Sequence, residues 1–217
     1  MRFICLLVAT FILSGCVTTK TTGYVDPKYR DSGYTVSKVV VRIGNATMEE
    51  TQIAEQTLVE KFNDYGVDAI KYTDIVPLTR SYSDKKKRRL IKNTGADVVF
   101  IMTLSKSKVD DYVPQTYHPG TTASRVNYGY VTTHTTPGYT TGGYSTSSPT
   151  MFTVATLSSI RNGEQIWKAE GQSSGIEISS YADLLVNAGV DAIDDMKEKG
   201  LLPEIKSEKI TKPEKEK

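Results

Sequence analysis

Apolar and polar residues recur with changing period along this chain, and the changes mark out elements in order. Residues 38–43 (KVVVRI) form a compact apolar run closed by Gly44 and Asn45, which predicts a buried strand. Thr47 opens a T-M-E-E capping box with Glu50, and Ala54, Leu58 and Phe62 then recur four apart with Ile53 and Val59 beside them. This is the apolar stripe of a helix, with acidic residues at its positive end and Gly66 as its stop. Residues 67–76 predict a second strand closed by Pro77, and Ser83 or Asp84 can cap a second helix through Lys92, ended by Gly95. Residues 97–104 (DVVFIMTL) predict a central strand buried on both faces. Residues 151–160 and 164–173 predict two strands joined by Arg161, Asn162, Gly163 and Glu164, where Asn-Gly suits a type I′ hairpin turn. Tyr181, Leu184, Leu185, Ala188, Ala192 and Met196 mark one face of a third helix, ended by Gly200 and Pro203.

Early strand–helix alternation implies parallel pairing, and the hairpin adds antiparallel strands at one side. The expected fold class is α/β: a mixed five-stranded sheet in two or three layers, in the order β-α-β-α-β, a long insertion, then β-β-α. The domain spans 38–202 and the insertion 112–150. Residues 203–217 are mixed charge with almost no apolar content, which predicts a disordered tail. Residues 16–37 are polar and rich in Thr, Gly and Tyr. They read as a tether reaching about 25 Å, or else as a strand or arm packed on the domain.

Composition narrows the chemistry. The 217 residues carry 27 Lys and Arg against 25 Asp and Glu, a net charge of +2, so bulk electrostatics select neither nucleic acid nor an acidic membrane surface. At the N-terminus, Arg2 precedes an apolar stretch from Ile4 to Leu13, too short and too terminal for a spanning helix, so residues 1–15 read as a signal peptide. That stretch closes in Leu13-Ser14-Gly15-Cys16, which resembles the lipobox of bacterial lipoproteins. The resemblance implies cleavage before Cys16, a diacylated thioether on its sulfur and acylation of the new amino group. Two or more chains anchor stably, since each buried methylene contributes about 0.8 kcal/mol. Val17 stands where inner-membrane retention signals usually have Asp, which by that sorting rule implies the outer membrane, with the domain facing the periplasm. Cys5 leaves with the signal peptide and Cys16 is consumed by lipid, so no disulfide or thiolate remains in the mature chain.

The element order, the Gly-Ala-Asp-Val-Val-Phe strand entry and the Asn-Gly-Glu-Gln-Ile-Trp turn resemble a group of periplasmic lipoproteins sharing the α/β fold of the TolB N-terminal domain. The group includes curli-secretion, penicillin-binding-protein-activator and polysaccharide-export lipoproteins. Uncharacterised lipoproteins with a Tyr/Gly/Thr-rich insertion before the hairpin are closer still. The resemblance covers Lys38 to about Leu202 and implies a fold. It carries no shared catalytic site, because function sits in sites grafted on folds.

Candidate chemistry lies in two places. The insertion from Val113 to Thr150 holds one ordinary charge, Arg125, and both histidines, His118 and His134, among Thr, Ser, Gly, Tyr and Pro. It reads as a low-complexity loop or as a protruding hairpin whose tyrosines (Tyr117, Tyr128, Tyr130, Tyr139 and Tyr144) supply contact area at low entropy cost. The second place is the basic run Lys85, Lys86, Lys87, Arg88 and Arg89. It reads as a solvated helix face or as a contact for anionic headgroups or an acidic partner. Export argues against nucleic acid as its target. The two histidines lack the close spacing of metal ligands, and no metal or cofactor is expected. The adjacent acids Glu49 and Glu50, or Asp194 and Asp195, do not face each other along a helix. The expected function is a non-enzymatic, lipid-anchored envelope protein that binds another envelope protein or its own copies. The alternative is a small-molecule or glycan binder using the insertion tyrosines.

Overall fold

The computed structural model describes residues 17–127 and 130–204, without the side chains of 122–134. The signal peptide, Cys16, Tyr128 and the tail beyond Glu204 lie outside the described residues. The chain forms two compact units: Lys108–Ser148, and the residues on either side of it.

In the larger unit the first strand is β1 (Thr18–Val25), followed by a single helical turn, α1 (Pro27–Arg30). Then come β2 (Lys38–Gly44), α2 (Met48–Asp64), β3 (Asp68–Lys71), the short α3 (Tyr72–Ile75) and α4 (Asp84–Lys92). Strand β4 (Val98–Val113) runs into the insertion, and β9 (Tyr144–Ser159) returns from it. Strand β10 (Gln165–Ser174) and α5 (Tyr181–Glu198) complete the unit. The α/β class expected from the sequence holds, with six strands in the order β1-β10-β9-β4-β2-β3.

Strand β2 pairs parallel with both β3 and β4, while β10 pairs antiparallel with β9 and β1. Ile160 N–H meets the Asp97 carbonyl, Thr156 Oγ1 the Ile101 carbonyl and Thr103 Oγ1 the Val154 carbonyl, so β9 also runs antiparallel to β4. The sixth strand corrects the tether reading. Residues 18–25 pair along their whole length with β10, from Thr18 opposite Ser174 to Val25 opposite Trp167. Their burial alternates, because Thr19, Thr21, Gly23 and Val25 face α5 and the core. Beyond the strand, Lys28 Nζ and Tyr29 Oη both donate to Glu164 at 2.7 Å, clipping α1 to the β9–β10 turn.

Val39, Val41 and Ile43 of β2 join the main core, which α2 and α5 cover with Leu58, Phe62, Leu184, Ala188 and Ile193. Val40 points the other way, into a smaller cluster with Tyr72 and Val76 packed under Leu90 and Ile91 of α4. The parallel half is therefore three-layered. On the antiparallel half, Tyr24, Phe152 and Val154 of the second face are exposed.

Two further expectations change. The strand expected over 67–76 stops at Lys71, where Tyr72 turns into α3 and becomes buried against β2. The β9–β10 turn is not type I′. Gly163 takes a positive φ of 75° but Asn162 does not, and Gly163 N–H donates to the Ser159 carbonyl across a longer loop. Asn162 instead accepts from Glu164 N–H through its side chain.

The smaller unit is a ladder rather than a loop. Strand β5 (Thr116–His118) pairs antiparallel with β8 (Tyr139–Thr141), and β6 (Thr121–Asn127) with β7 (Tyr130–Thr136). Pro-Gly steps at 119–120 and 137–138 face each other, and a Cβ on Gly120 would lie 2.4 Å from the Thr136 carbonyl. Two glycines are thus required for the strands to stay in register there.

Candidate functional site

The described insertion tyrosines lie on the surface, on strands exposed on both faces. Tyr117, Tyr139 and Tyr144 are 66%, 60% and 56% exposed, and Tyr112, which the sequence reading did not single out, is 64% exposed. Tyr130 opens β7 opposite Asn127, and Tyr128 lies outside the described residues. His118 sits directly opposite Tyr139, stacks on its ring at 4.6 Å and meets Thr141 Oγ1 through Nε2 at 3.0 Å. His134 pairs with Ala123, five positions along the ladder from Tyr139. Among the described residues, no group of three His, Cys, Asp or Glu could hold a metal ion.

None of the side chains described in 108–121 and 135–148 is buried. A two-stranded hairpin with no core of its own is marginal in water. This unit therefore carries aromatic surface that its own fold does not cover.

The basic run occupies α4. Ser83 caps it by accepting from Lys86 N–H at 3.4 Å, so the run begins where the cap ends. Leu90 and Ile91 hold the helix to the sheet, and Lys85, Lys86, Arg88 and Arg89 point into solvent. Lys87 is spent on Asp84 at 3.2 Å, and Lys86 lies 4.8 Å over the Tyr82 ring. The structure adds what the run alone did not show. Arg88 and Lys92 join Arg161, from the distant β9–β10 turn, around a groove of about 540 Å³ with Ile91, Val99 and Ile160 in its lining. No spacing along the sequence links Arg161 to α4; only the neighbouring placement of β4 and β9 does.

The other chemistry-bearing residues are committed to structure. Thr47 and Glu50 form the reciprocal capping box, at 3.3 and 2.9 Å, and Glu50 also accepts from Lys106 at 2.7 Å. Burial would raise the Glu50 carboxyl, but the bonds from Lys106 and Thr47 outweigh it and hold it below its ordinary value. Asp194 accepts from Tyr65 Oη at 2.6 Å and Lys61 Nζ at 2.8 Å. Asp195 accepts from Trp167 Nε1 at 2.9 Å and is paired with Lys199. Trp167 is fully buried and stacks on Phe100, which makes it a core residue. Glu55, unremarkable in sequence, is wholly buried. It accepts from Thr73 Oγ1 at 2.7 Å, Thr73 N–H at 3.0 Å and Ile43 N–H at 3.4 Å, joining α2 to β2 and α3.

No family model matches the chain, and no curated protein matches it. Among solved structures, the chain is similar to a PelC dodecamer from Paraburkholderia phytofirmans, with 12% identity and a TM-score of 0.42, covering 87% of this chain and 100% of that one. It is also similar to the lipoprotein GNA1162 from Neisseria meningitidis, with 14% identity and a TM-score of 0.39, covering 73% and 99%. No residue role is carried over from either.

Proposed function

We propose that the chain is a lipid-anchored envelope protein, held at the outer membrane through Cys16 and facing the periplasm. It acts as a non-catalytic assembly or accessory component by binding another envelope protein or further copies of itself. The observation that carries this reading is the Lys108–Ser148 ladder. It displays four largely exposed tyrosines and no buried side chain among those described. Covering that surface removes aromatic area from water and shields a marginal hairpin, and both effects favour association. The commitment of Glu50, Asp194, Asp195 and Trp167 to structural bonds fits a role without acid–base chemistry.

The test is crosslinking in intact envelopes followed by mass spectrometry. It compares the full chain with a variant in which a two-residue Asn-Gly turn joins Ser107 to Pro149. Partners or self-crosslinks seen with the full chain should disappear from the variant. Equal recovery from both would remove the ladder from the binding surface.

A further inference from the structure

The pairing of β1 brings the lipidation motif against one end of the sheet. Thr18 pairs with Ser174 at the end of β10, and Ser174 pairs with Thr150 of β9; β1 and β10 stop at this level, while β9 begins six residues earlier at Tyr144. Cys16 stands only two residues before Thr18. Two peptide units carry the chain at most about 7 Å, and paired strand residues lie about 5 Å apart. Val17, the single residue between the motif and the strand, already packs against the main core. No tether separates the anchor position from the domain.

The same end carries the connection from β10 to α5, and that connection is built as a tight turn. Gly175 N–H donates to the Pro149 carbonyl at 3.0 Å, Ser179 N–H to the Ile176 carbonyl at 2.8 Å, and Ile176 N–H to Ser179 Oγ at 3.0 Å. A Cβ on Gly175 would lie 2.4 Å from that of Ser179, so the turn closes only with glycine there. This closed turn holds Ile176 and Ile178 outward. Ile176 is 44% exposed, and Ile178, at 82%, is the most exposed large hydrophobic side chain among the described residues. Turn chemistry favours Gly, Asn, Asp, Ser or Pro at such places, and β-branched apolar residues gain nothing from water.

We infer that the turn over residues 175–180 is a bilayer-contacting element, which seats Ile176 and Ile178 in the interfacial layer of the membrane that holds the Cys16 acyl chains. The inference rests on the lipid-anchor reading of Cys16. It commits to lipid because the anchor position lies two residues from the strand that ends beside this turn. Lipidated at Cys16, the chain cannot move that end of the sheet far from the bilayer surface. The contact is apolar, with Glu177 as the one charge between the two isoleucines, so it should be insensitive to salt. Its effect is orientational: acyl chains supply the attachment, and the turn fixes which end of the sheet meets the membrane.

The experiment uses the full lipoprotein with one introduced thiol, since Cys5 is removed and a thioether blocks Cys16. Ile178→Cys and, at the opposite end of the β9–β10 ladder, Arg161→Cys are each labelled with an environment-sensitive fluorophore. Each is reconstituted into phosphatidylcholine vesicles with and without lipid-borne nitroxide quenchers. At 178 the emission should shift to the blue and be quenched several-fold more than at 161, equally at low and high salt. Water-like emission at 178 in an acylated, vesicle-bound protein overturns the inference and leaves the anchor reading standing. The same blue shift in the soluble Cys16→Ser form without vesicles also overturns it, because the site would then be covered by protein. If mass spectrometry finds no acyl mass on Cys16, the anchor reading fails and this inference with it.

Discussion

Gly23 shows how tightly single residues are specified where β1 crosses α5. A Cβ there would lie 2.0 Å from Asp195 Oδ2 and 2.5 Å from Trp167 Nε1, inside the 2.9 Å bond that joins those two residues. Gly23→Ala must therefore displace a buried hydrogen bond. It should lower the unfolding free energy by about 1–3 kcal/mol, the usual range for overpacking, as read from urea denaturation. Glu55 poses an electrostatic question. Burial pushes its carboxyl above the ordinary value of 4.5, and the bonds from Thr73 and Ile43 only partly offset that push. The folded protein thus holds this proton more tightly than the unfolded chain does. The stability it contributes is complete below about pH 4.5 and is lost as pH rises through the elevated folded value. Glu55→Gln removes the titration, so the stability gap between wild type and variant should narrow as pH rises from acid to neutral. A gap that stayed constant in matched denaturation curves would contradict the assignment.

At the scale of elements, β1 changes the picture most. A flexible tether would exchange its amide protons within seconds, whereas a strand paired with β10 protects those amides that donate across the ladder. Hydrogen exchange should show alternating protection between Thr18 and Val25, together with protection in β10. Glu164 supports the same docking. The bonds from Lys28 and then Tyr29 hold its exposed carboxyl down to about 2, so Glu164 remains an ionised acceptor for both across the physiological range. The three long helices were read correctly from sequence because their signals are local, whereas the single turns α1 and α3 were not. Thr47, Ser83 and the stripe from Leu184 to Met196 act within a few residues of themselves. Strand β1 was not, because Thr-rich alternation without apolar residues resembles a polar linker until a partner edge is known. The insertion ladder was ambiguous for the same reason, and the close approach of its facing Pro-Gly steps appears only in the fold.

For the whole molecule, the proposed anchor and the fold make separable predictions. The largest buried side chains of the described core lie between Leu58 and Met196, far along the chain from Cys16. Cys16→Ser should therefore release the protein from the membrane fraction while leaving its circular dichroism and unfolding midpoint unchanged. A variant that stayed membrane-bound through alkaline and high-salt washes would point to a second anchor. The sheet order also explains how one molecule carries two candidate surfaces. Arg161 comes beside Arg88 and Lys92 only because β9 and β4 are neighbours.

By itself the sequence determined the α/β class, the long helices and the core stripes, and carries the Leu-Ser-Gly-Cys run that resembles a lipobox. Each is written in capping residues, apolar periodicity or a contiguous motif that needs no partner to act. Only the tertiary structure decided what depends on edges and neighbours. It showed that residues 18–25 complete the sheet and that the insertion is a ladder. It also showed that Arg161 lines a groove with α4, and that two exposed isoleucines follow β10 at the level where β1 begins. Those facts arise from hydrogen bonds and packing between segments far apart in the chain, and local composition does not encode them.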